Sequence, residues 1–162
     1  MIKVGIIGAT GYGGVELMRL LSNHPFAEIT AISSISFEGK QLKEIYPSFR
    51  GIVEKTLENE DAVIEKCDVI FAALPHGLCE AIAKKCMAKN KKFIDLGADF
   101  RLDDKDVYKE WYGLEYNEQE LHKYSVYSIP ELDREKAKGA KIIANPGCYP
   151  TSICLGLAPI IK

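Results

Sequence analysis

Two short segments carry residue types that could do chemistry. The first is Asn145-Pro146-Gly147-Cys148-Tyr149-Pro150-Thr151, which follows the short apolar run Lys141-Ile142-Ile143-Ala144. Pro146 and Gly147 break that run, and Pro150 suits the first turn of a helix, where its missing N–H costs nothing. Cys148 is thereby expected at a helix N-terminus, where unpaired backbone N–H groups and the helix dipole favour an anion. Such surroundings lower a thiol pKa and favour the nucleophilic thiolate. The alternative is a buried structural cysteine, a common fate for this residue type.

The second segment is Gly8-Ala9-Thr10-Gly11-Tyr12-Gly13-Gly14, with glycines at G-x-x-G-x-x-G spacing. It lies directly after an apolar strand and before an apolar-faced helix. Glycines placed so let the backbone approach a pyrophosphate, which then rests on the helix N-terminus. The plainer alternative is a tight turn and nothing more. The setting favours a dinucleotide, because this turn opens a βαβ unit of about thirty residues, the length of a parallel crossover.

The elements that must hold these segments follow from the pattern of apolar runs and breakers. Ile2–Ile7 reads as a buried strand, 13–23 as a helix stopped by His24-Pro25, and 28–33 as the second strand. A short helix before Pro47, a weak strand over 53–57 and a helix over 61–66 come next. Strands follow at 68–74 and 92–96, the latter being the fifth, with a helix over 78–89 between them. In that helix Cys79, Ile82 and Cys86 recur on one face, so both cysteines are expected in the core. Asp103 or Asp104 is expected to cap a helix reaching about Trp111. The last strand candidates are 124–129 and 142–144. Alternating strands and helices give an α/β, Rossmann-like, doubly wound and mostly parallel sheet.

The division expected is a dinucleotide-binding domain over 1–147, followed by the nucleophile turn and first helix of a second domain over 148–162. The final helix carries Ile153, Leu155, Leu157, Ile160 and Ile161, more apolar surface than the remaining sequence can cover. A piece of a longer protein, with its second domain missing, is the expectation.

Composition narrows the partners. In 162 residues, 21 basic and 23 acidic side chains leave a net charge of −2, which gives no reason to expect nucleic acid or an anionic membrane. No apolar run approaches the roughly 20 residues of a membrane span. The five cysteines form no Cys-x-x-Cys pair, so neither a metal site nor a disulfide framework is indicated, and a reducing cytoplasmic setting is the simplest account.

The kind of dinucleotide can be argued too. An NAD site usually places an acidic residue at the end of the second strand to hold the ribose 2′-hydroxyl. Here that place reads Ser33-Ser34-Ile35-Ser36, with Lys40 shortly after. Hydroxyls and a lysine suit a 2′-phosphate, so NADP(H) is the expected cofactor, with Glu38 the one opposing charge.

Taken together these segments resemble the N-acetyl-γ-glutamyl-phosphate reductase family of arginine biosynthesis. The resemblance runs in order through Gly8-Ala9-Thr10-Gly11-Tyr12-Gly13-Gly14-Val15-Glu16-Leu17, Ala73-Leu74-Pro75-His76-Gly77, Asp95-Leu96-Gly97-Ala98-Asp99-Phe100-Arg101-Leu102, Ile129-Pro130-Glu131-Leu132 and the cysteine turn. The aspartate-semialdehyde dehydrogenases share the architecture and a similar cysteine turn. The Gly-Cys-Tyr-Pro-Thr and Ala-Asp-Phe-Arg-Leu segments look like the glutamyl-phosphate family instead.

The resemblance implies NADPH-dependent reductive dephosphorylation of a small acyl phosphate. Cys148 would form a thioester and expel phosphate, and hydride transfer would then release a semialdehyde. It places Leu74, Pro75 and His76 beside the cofactor. It also gives Asn145 and Glu131 a place at the cysteine turn or in the substrate pocket. Arg101 follows the fifth strand on the ligand-binding edge and is the candidate for the substrate phosphate, which its planar fork suits; a salt bridge to Asp99, Asp103 or Asp104 is the alternative.

The acid/base histidine of such enzymes lies well downstream of the cysteine turn. His24 and His122 are read as surface residues, and none of the three histidines matches that motif. The chain is therefore expected to be inert alone and, at full length, to form a homo-oligomer. From a different class, a dinucleotide-binding redox sensor without catalysis is the competing reading. Cys67 and Cys154 read as structural, and Tyr108, Trp111 and Tyr112 as core or subunit packing.

Overall fold

The computed structural model describes residues 1–161. Its seven strands form one sheet in the order β3-β2-β1-β4-β5-β7-β6, and every neighbouring pair is parallel. These strands are β1 (Ile2–Ile7), β2 (Ala27–Ser33), β3 (Leu57–Glu58), β4 (Val69–Ala72), β5 (Lys92–Asp95), β6 (Ser125–Tyr127) and β7 (Ile142–Ala144). The order runs outward in both directions from β1 and β4, which makes the crevice at their carboxyl ends a switch point.

Alternation along β1 shows how both faces are covered. Val4 and Ile6 pack with Met18 of α1 (Tyr12–Leu21) and Leu42 of α2 (Leu42–Ile45). Ile7 packs on the opposite side with Val63 and Ile64 of α3 (Glu60–Lys66) and with Cys79, Ile82 and Cys86 of α4 (Cys79–Ala88). The cysteines of α4 thus face the core as their spacing indicates. Burial on both faces is what an all-parallel sheet requires, and it explains the continuous apolar runs.

Asp104 caps α5 (Lys105–Tyr112), its carboxylate accepting from Asp106 N at 2.8 Å and Val107 N at 3.1 Å. Gly113 ends that helix in the left-handed conformation. Of its aromatic residues Tyr108 is buried, whereas Trp111 is exposed. The expected strand over 53–57 shrinks to Leu57–Glu58. Val53 is instead buried in the core, and Thr56 makes one antiparallel bridge to Gln41. The strand expected over 124–129 is likewise only Ser125–Tyr127.

His122 is not a surface residue. It ends the short α6 (Gln119–His122), buried and stacked on Tyr116 with ring centroids 4.1 Å apart. Its Nε2 lies 3.9 Å from Glu80 Oε1 and its Nδ1 3.8 Å from Asp103 Oδ1, beyond hydrogen-bond reach. Burial pushes its pKa below the ordinary value, with Glu80 and Asp103 opposing.

The unfolded chain therefore takes up this proton first. The contribution of neutral His122 is complete above about pH 6.5 and fades as pH falls below it, by at most about 1.4 kcal/mol per pH unit. Thermal unfolding at pH 7.5 and pH 5.5 should show a larger drop for the unaltered chain than for His122→Phe. Equal drops would remove His122 as the cause.

The dinucleotide cleft and the cysteine turn

All strands being parallel, every carboxyl end lies on one edge of the sheet, and both candidate segments leave from it. At the switch point a cleft of about 360 Å³ is lined by Gly8, Thr10 and Gly11 after β1, Ser33 and Ser34 at β2, and Ala73, Leu74 and Pro75 after β4. That volume lies within the range of small-molecule sites. Gly8 has φ +81°, and a Cβ there would collide with the Ala73 carbonyl. A Cβ on Gly14 would collide with Gly8 O and stand 2.6 Å from Ala9 Cα. Val15 N makes the first helical bond, to Gly11 O, so the N–H groups of Tyr12, Gly13 and Gly14 are without intrahelical acceptors at the mouth of α1. The residues fit a bound pyrophosphate: a cradle that side chains would fill, over a helix of ten residues.

Not every expected cofactor residue reaches the cleft. Tyr12 is 99% exposed and outside the lining. Gly13 and Gly14 serve at the helix mouth and in packing rather than in the lining. His76 is exposed and meets Tyr112 edge-on at 5.2 Å between centroids. Lys40 is outside the lining as well, its ammonium 5.7 Å from the centre of the Phe37 ring. Gly39 N donates to Leu57 O and Lys40 O accepts from Leu57 N, so the backbone of this stretch is paired to β3.

What faces the cleft at the end of β2 is a hydroxyl cluster. Thr10 Oγ1 and Ser34 Oγ lie 2.7 Å apart, and Ser36 lines the same space together with the carboxylates of Glu38, Glu58 and Glu60. Glu58 is paired to Lys66.

Two strands beyond β4, β7 delivers the cysteine turn. Asn145 N donates to Asp95 O at 2.9 Å, which ties the start of the turn to β5. Cys148 is the first residue of α8 (Cys148–Ile161) and is exposed. The placement agrees with the proline and glycine spacing. Arg101, Leu96, Asn145, Pro146, Gly147, Thr151 and Ser152 form a shallow cleft around it. Cys154, read as structural, is exposed too, because no side chain of α8 is buried.

Arg101 makes no salt bridge to Asp99, Asp103 or Asp104. Its Nε donates to Asn145 O at 2.9 Å and its Nη2 to Leu96 O at 3.0 Å, while Nη1 lies beside Gly147. The guanidinium thus stands under the turn with one nitrogen outside those bonds. Asn145 shapes the turn: its carbonyl accepts from Arg101, and its amide donates to Pro146 O at 3.0 Å.

Glu131 is elsewhere. It sits exposed in the first turn of α7 (Pro130–Ala137), where Pro130 opens the helix, and it does not line the cysteine cleft.

Two carboxyl groups at and just after the end of β5 are buried, Asp95 and Asp99. Asp95 Oδ1 accepts from Gly97 N at 2.7 Å, while its Oδ2 is buried without a partner. Desolvation raises its pKa. Asp99 holds the loop after β4 through both of its carboxylate oxygens. Among the described residues no cluster could hold a metal ion, and no helix is long and apolar enough to cross a membrane.

A family model described as semialdehyde dehydrogenase, NAD binding domain, matches residues 3–140. A curated N-acetyl-gamma-glutamyl-phosphate reductase from Clostridium botulinum (strain Eklund 17B / Type B) is 60% identical over the whole chain, which covers 47% of that relative. One from Brachyspira hyodysenteriae is 54% identical over 99% of the chain, covering 48% of the relative. The chain thus spans about half the length of the curated relatives it matches.

Among solved structures, aspartate semialdehyde dehydrogenase II from Vibrio cholerae superposes with a TM-score of 0.73 at 21% identity, covering 99% of this chain and 46% of that one. The aspartate semialdehyde dehydrogenase with NADP from Candida albicans gives 0.68 at 19% identity, over 99% and 47% of the two chains. At those identities the likeness speaks for the fold alone. The family match spans six of the seven strands and the cleft at their switch point, and the chain belongs to the semialdehyde dehydrogenase NAD-binding domain family.

Proposed function

We propose that this chain is the dinucleotide-binding and nucleophile-bearing half of an NADP(H)-dependent reductase that converts N-acetyl-γ-glutamyl phosphate to the semialdehyde. Residues 1–147 are the cofactor unit, and 148–162 begin the part that completes the active site. The observation that carries the reading is the exposed Cys148 at the mouth of α8, on the same sheet edge as the glycine cradle. The choice of acyl phosphate rests on the names of the curated relatives.

The chain's own residues perform the following steps. Cys148 sulfur attacks the acyl carbon, the C–O bond to phosphate breaks, and a thioester forms as phosphate leaves. Arg101, fixed by Asn145 O and Leu96 O, directs its remaining nitrogen toward the departing phosphate. NADPH held in the cleft would supply the hydride that reduces the thioester carbon. The thiohemiacetal oxyanion so formed on Cys148 collapses to the aldehyde and returns the cysteine thiolate that began the cycle. The N–H groups at the start of α1 would hold the pyrophosphate, and Thr10, Ser33 and Ser34 would offer hydroxyls to the adenosine ribose and its 2′-phosphate.

Calorimetry with the chain should show NADPH binding about tenfold more tightly than NADH, the worth of one charge-assisted hydrogen bond at the low end. The gain is held there because Glu38 and Glu60 line the same cleft and oppose the added phosphate. Tighter NADH binding would sink the assignment of the hydroxyl cluster. Extended to the length of its relatives, the protein should reduce N-acetyl-γ-glutamyl phosphate and leave β-aspartyl phosphate untouched. The reverse preference would move it to the aspartate branch. The 162-residue chain alone should turn over neither.

A further inference from the structure

Asp99 is almost fully buried and uses both carboxylate oxygens on the loop after β4 and on the helix beyond it. Oδ1 accepts from Gly77 N at 2.7 Å and from the Tyr108 hydroxyl at 3.0 Å, and Oδ2 accepts from Cys79 N at 2.8 Å. Helix α4 has Leu78 at its N-cap and no side-chain cap of its own. Asp99 supplies that cap from a distant loop. Gly77, at φ +87°, turns the chain so that both N–H groups converge on one carboxylate.

The loop so gripped contributes Ala73, Leu74 and Pro75 to the dinucleotide cleft. Two residues beyond Asp99, Arg101 grips the cysteine turn. One short segment therefore holds a wall of the cofactor cleft with one side chain and the nucleophile turn with another.

We propose that Asp99 is a positioning residue for dinucleotide binding, fixing the 73–77 loop, and with it the Ala73–Pro75 wall of the cleft, before the cofactor arrives. The inference rests on the reading of that cleft as a dinucleotide site. A loop already in its bound conformation spends no binding energy on ordering, so its loss appears as weaker affinity. Asparagine at this place keeps one acceptor oxygen and puts an NH₂ that cannot accept where the other stood, so in this geometry one of the two backbone N–H groups faces a donor.

The test compares the unaltered chain with Asp99→Asn by NADPH calorimetry well below the unfolding midpoint. Iodoacetamide alkylation of Cys148 without nucleotide is followed in parallel. The expected result is about tenfold weaker NADPH binding with the alkylation rate within twofold of the unaltered chain. A purely structural role would lower the thermal midpoint and leave the affinity at lower temperature unchanged. Affinity within twofold, in a folded variant, overturns the proposal, as does equal loss at the cofactor and the thiol.

Hydrogen exchange on the unaltered chain decides the matter if Asp99→Asn does not fold. The Gly77 and Cys79 amides should be protected without nucleotide and gain little when NADPH is added. Fast exchange until NADPH is added would show that the cofactor, not Asp99, orders the loop. Should the unaltered chain bind neither NADPH nor NADH, the reading of the cleft fails, while the exchange data still judge the grip of Asp99.

Discussion

Cys148→Ser in the protein extended to its relatives' length should lower turnover of the acyl phosphate at least a thousandfold and leave NADPH affinity unchanged. Serine keeps the size and the hydrogen bonding, but its hydroxyl is not ionised at neutral pH, and covalent catalysis depends on the nucleophile. The two effects separate because the cofactor cleft and the cysteine cleft share no lining residue. Retention of a tenth of the activity would end the thioester route.

A second measurement applies to the chain as it stands. Cys67, Cys79 and Cys86 are buried, and burial raises their thiol pKa values, to about 11 for Cys67 and about 12 for Cys86. They are poor comparators for reactivity. Cys154 is the informative one, exposed on the same helix but past its first turn. The helix-terminal field fades within that turn. Cys148 should therefore be alkylated faster than Cys154 at pH 7, and equal rates would remove the argument from helix geometry.

Gly8→Ala should destabilise the fold by about 2–5 kcal/mol and abolish NADPH binding. A left-handed backbone costs a non-glycine residue about 1–2 kcal/mol. The rest comes from the added methyl meeting the Ala73 carbonyl, a backbone atom between β1 and β4 that cannot turn aside. Gly39→Ala is the control. Its φ is +84°, nearly the same, yet nothing lies within 4 Å of the added Cβ. That variant should lose only about 1–2 kcal/mol, the strain by itself. Urea unfolding of the two would decide: equal losses would mean that close approach between the strands plays no part.

The elements bounded by Gly and Pro could be read without a structure. Pro146, Gly147 and Pro150 placed Cys148 at a helix mouth, and the glycines after Ile7 placed the cradle. Where reading failed, the partners were far away in the chain. His122 sits among Glu118, Glu120 and Lys123, a charged neighbourhood that suggested solvent, but it packs against Phe100 and Tyr116. Lys40 lies over the Phe37 ring and outside the cleft lining, a side-chain placement that spacing along the chain does not show. Asp99 contacts Gly77 and Cys79, some twenty residues back, and no periodicity marks such a bond. One signal did exist. The start of α4 offers no Ser, Thr, Asp or Asn at its cap, and a buried helix end without its own cap must find an acceptor elsewhere.

The strand order also acts as a ruler. Parallel neighbours repeat at about 4.8 Å, a spacing fixed by backbone hydrogen bonds and indifferent to side-chain identity. From β4 to β7 there are two such steps, by way of β5, so the wall of the cradle and the root of the cysteine turn are held roughly 10 Å apart. Substitutions in the core can loosen or tighten packing without altering that interval. Any molecule joining the cradle to Cys148 has to bridge the tips of β4 and β5, and its minimum length is written in the backbone.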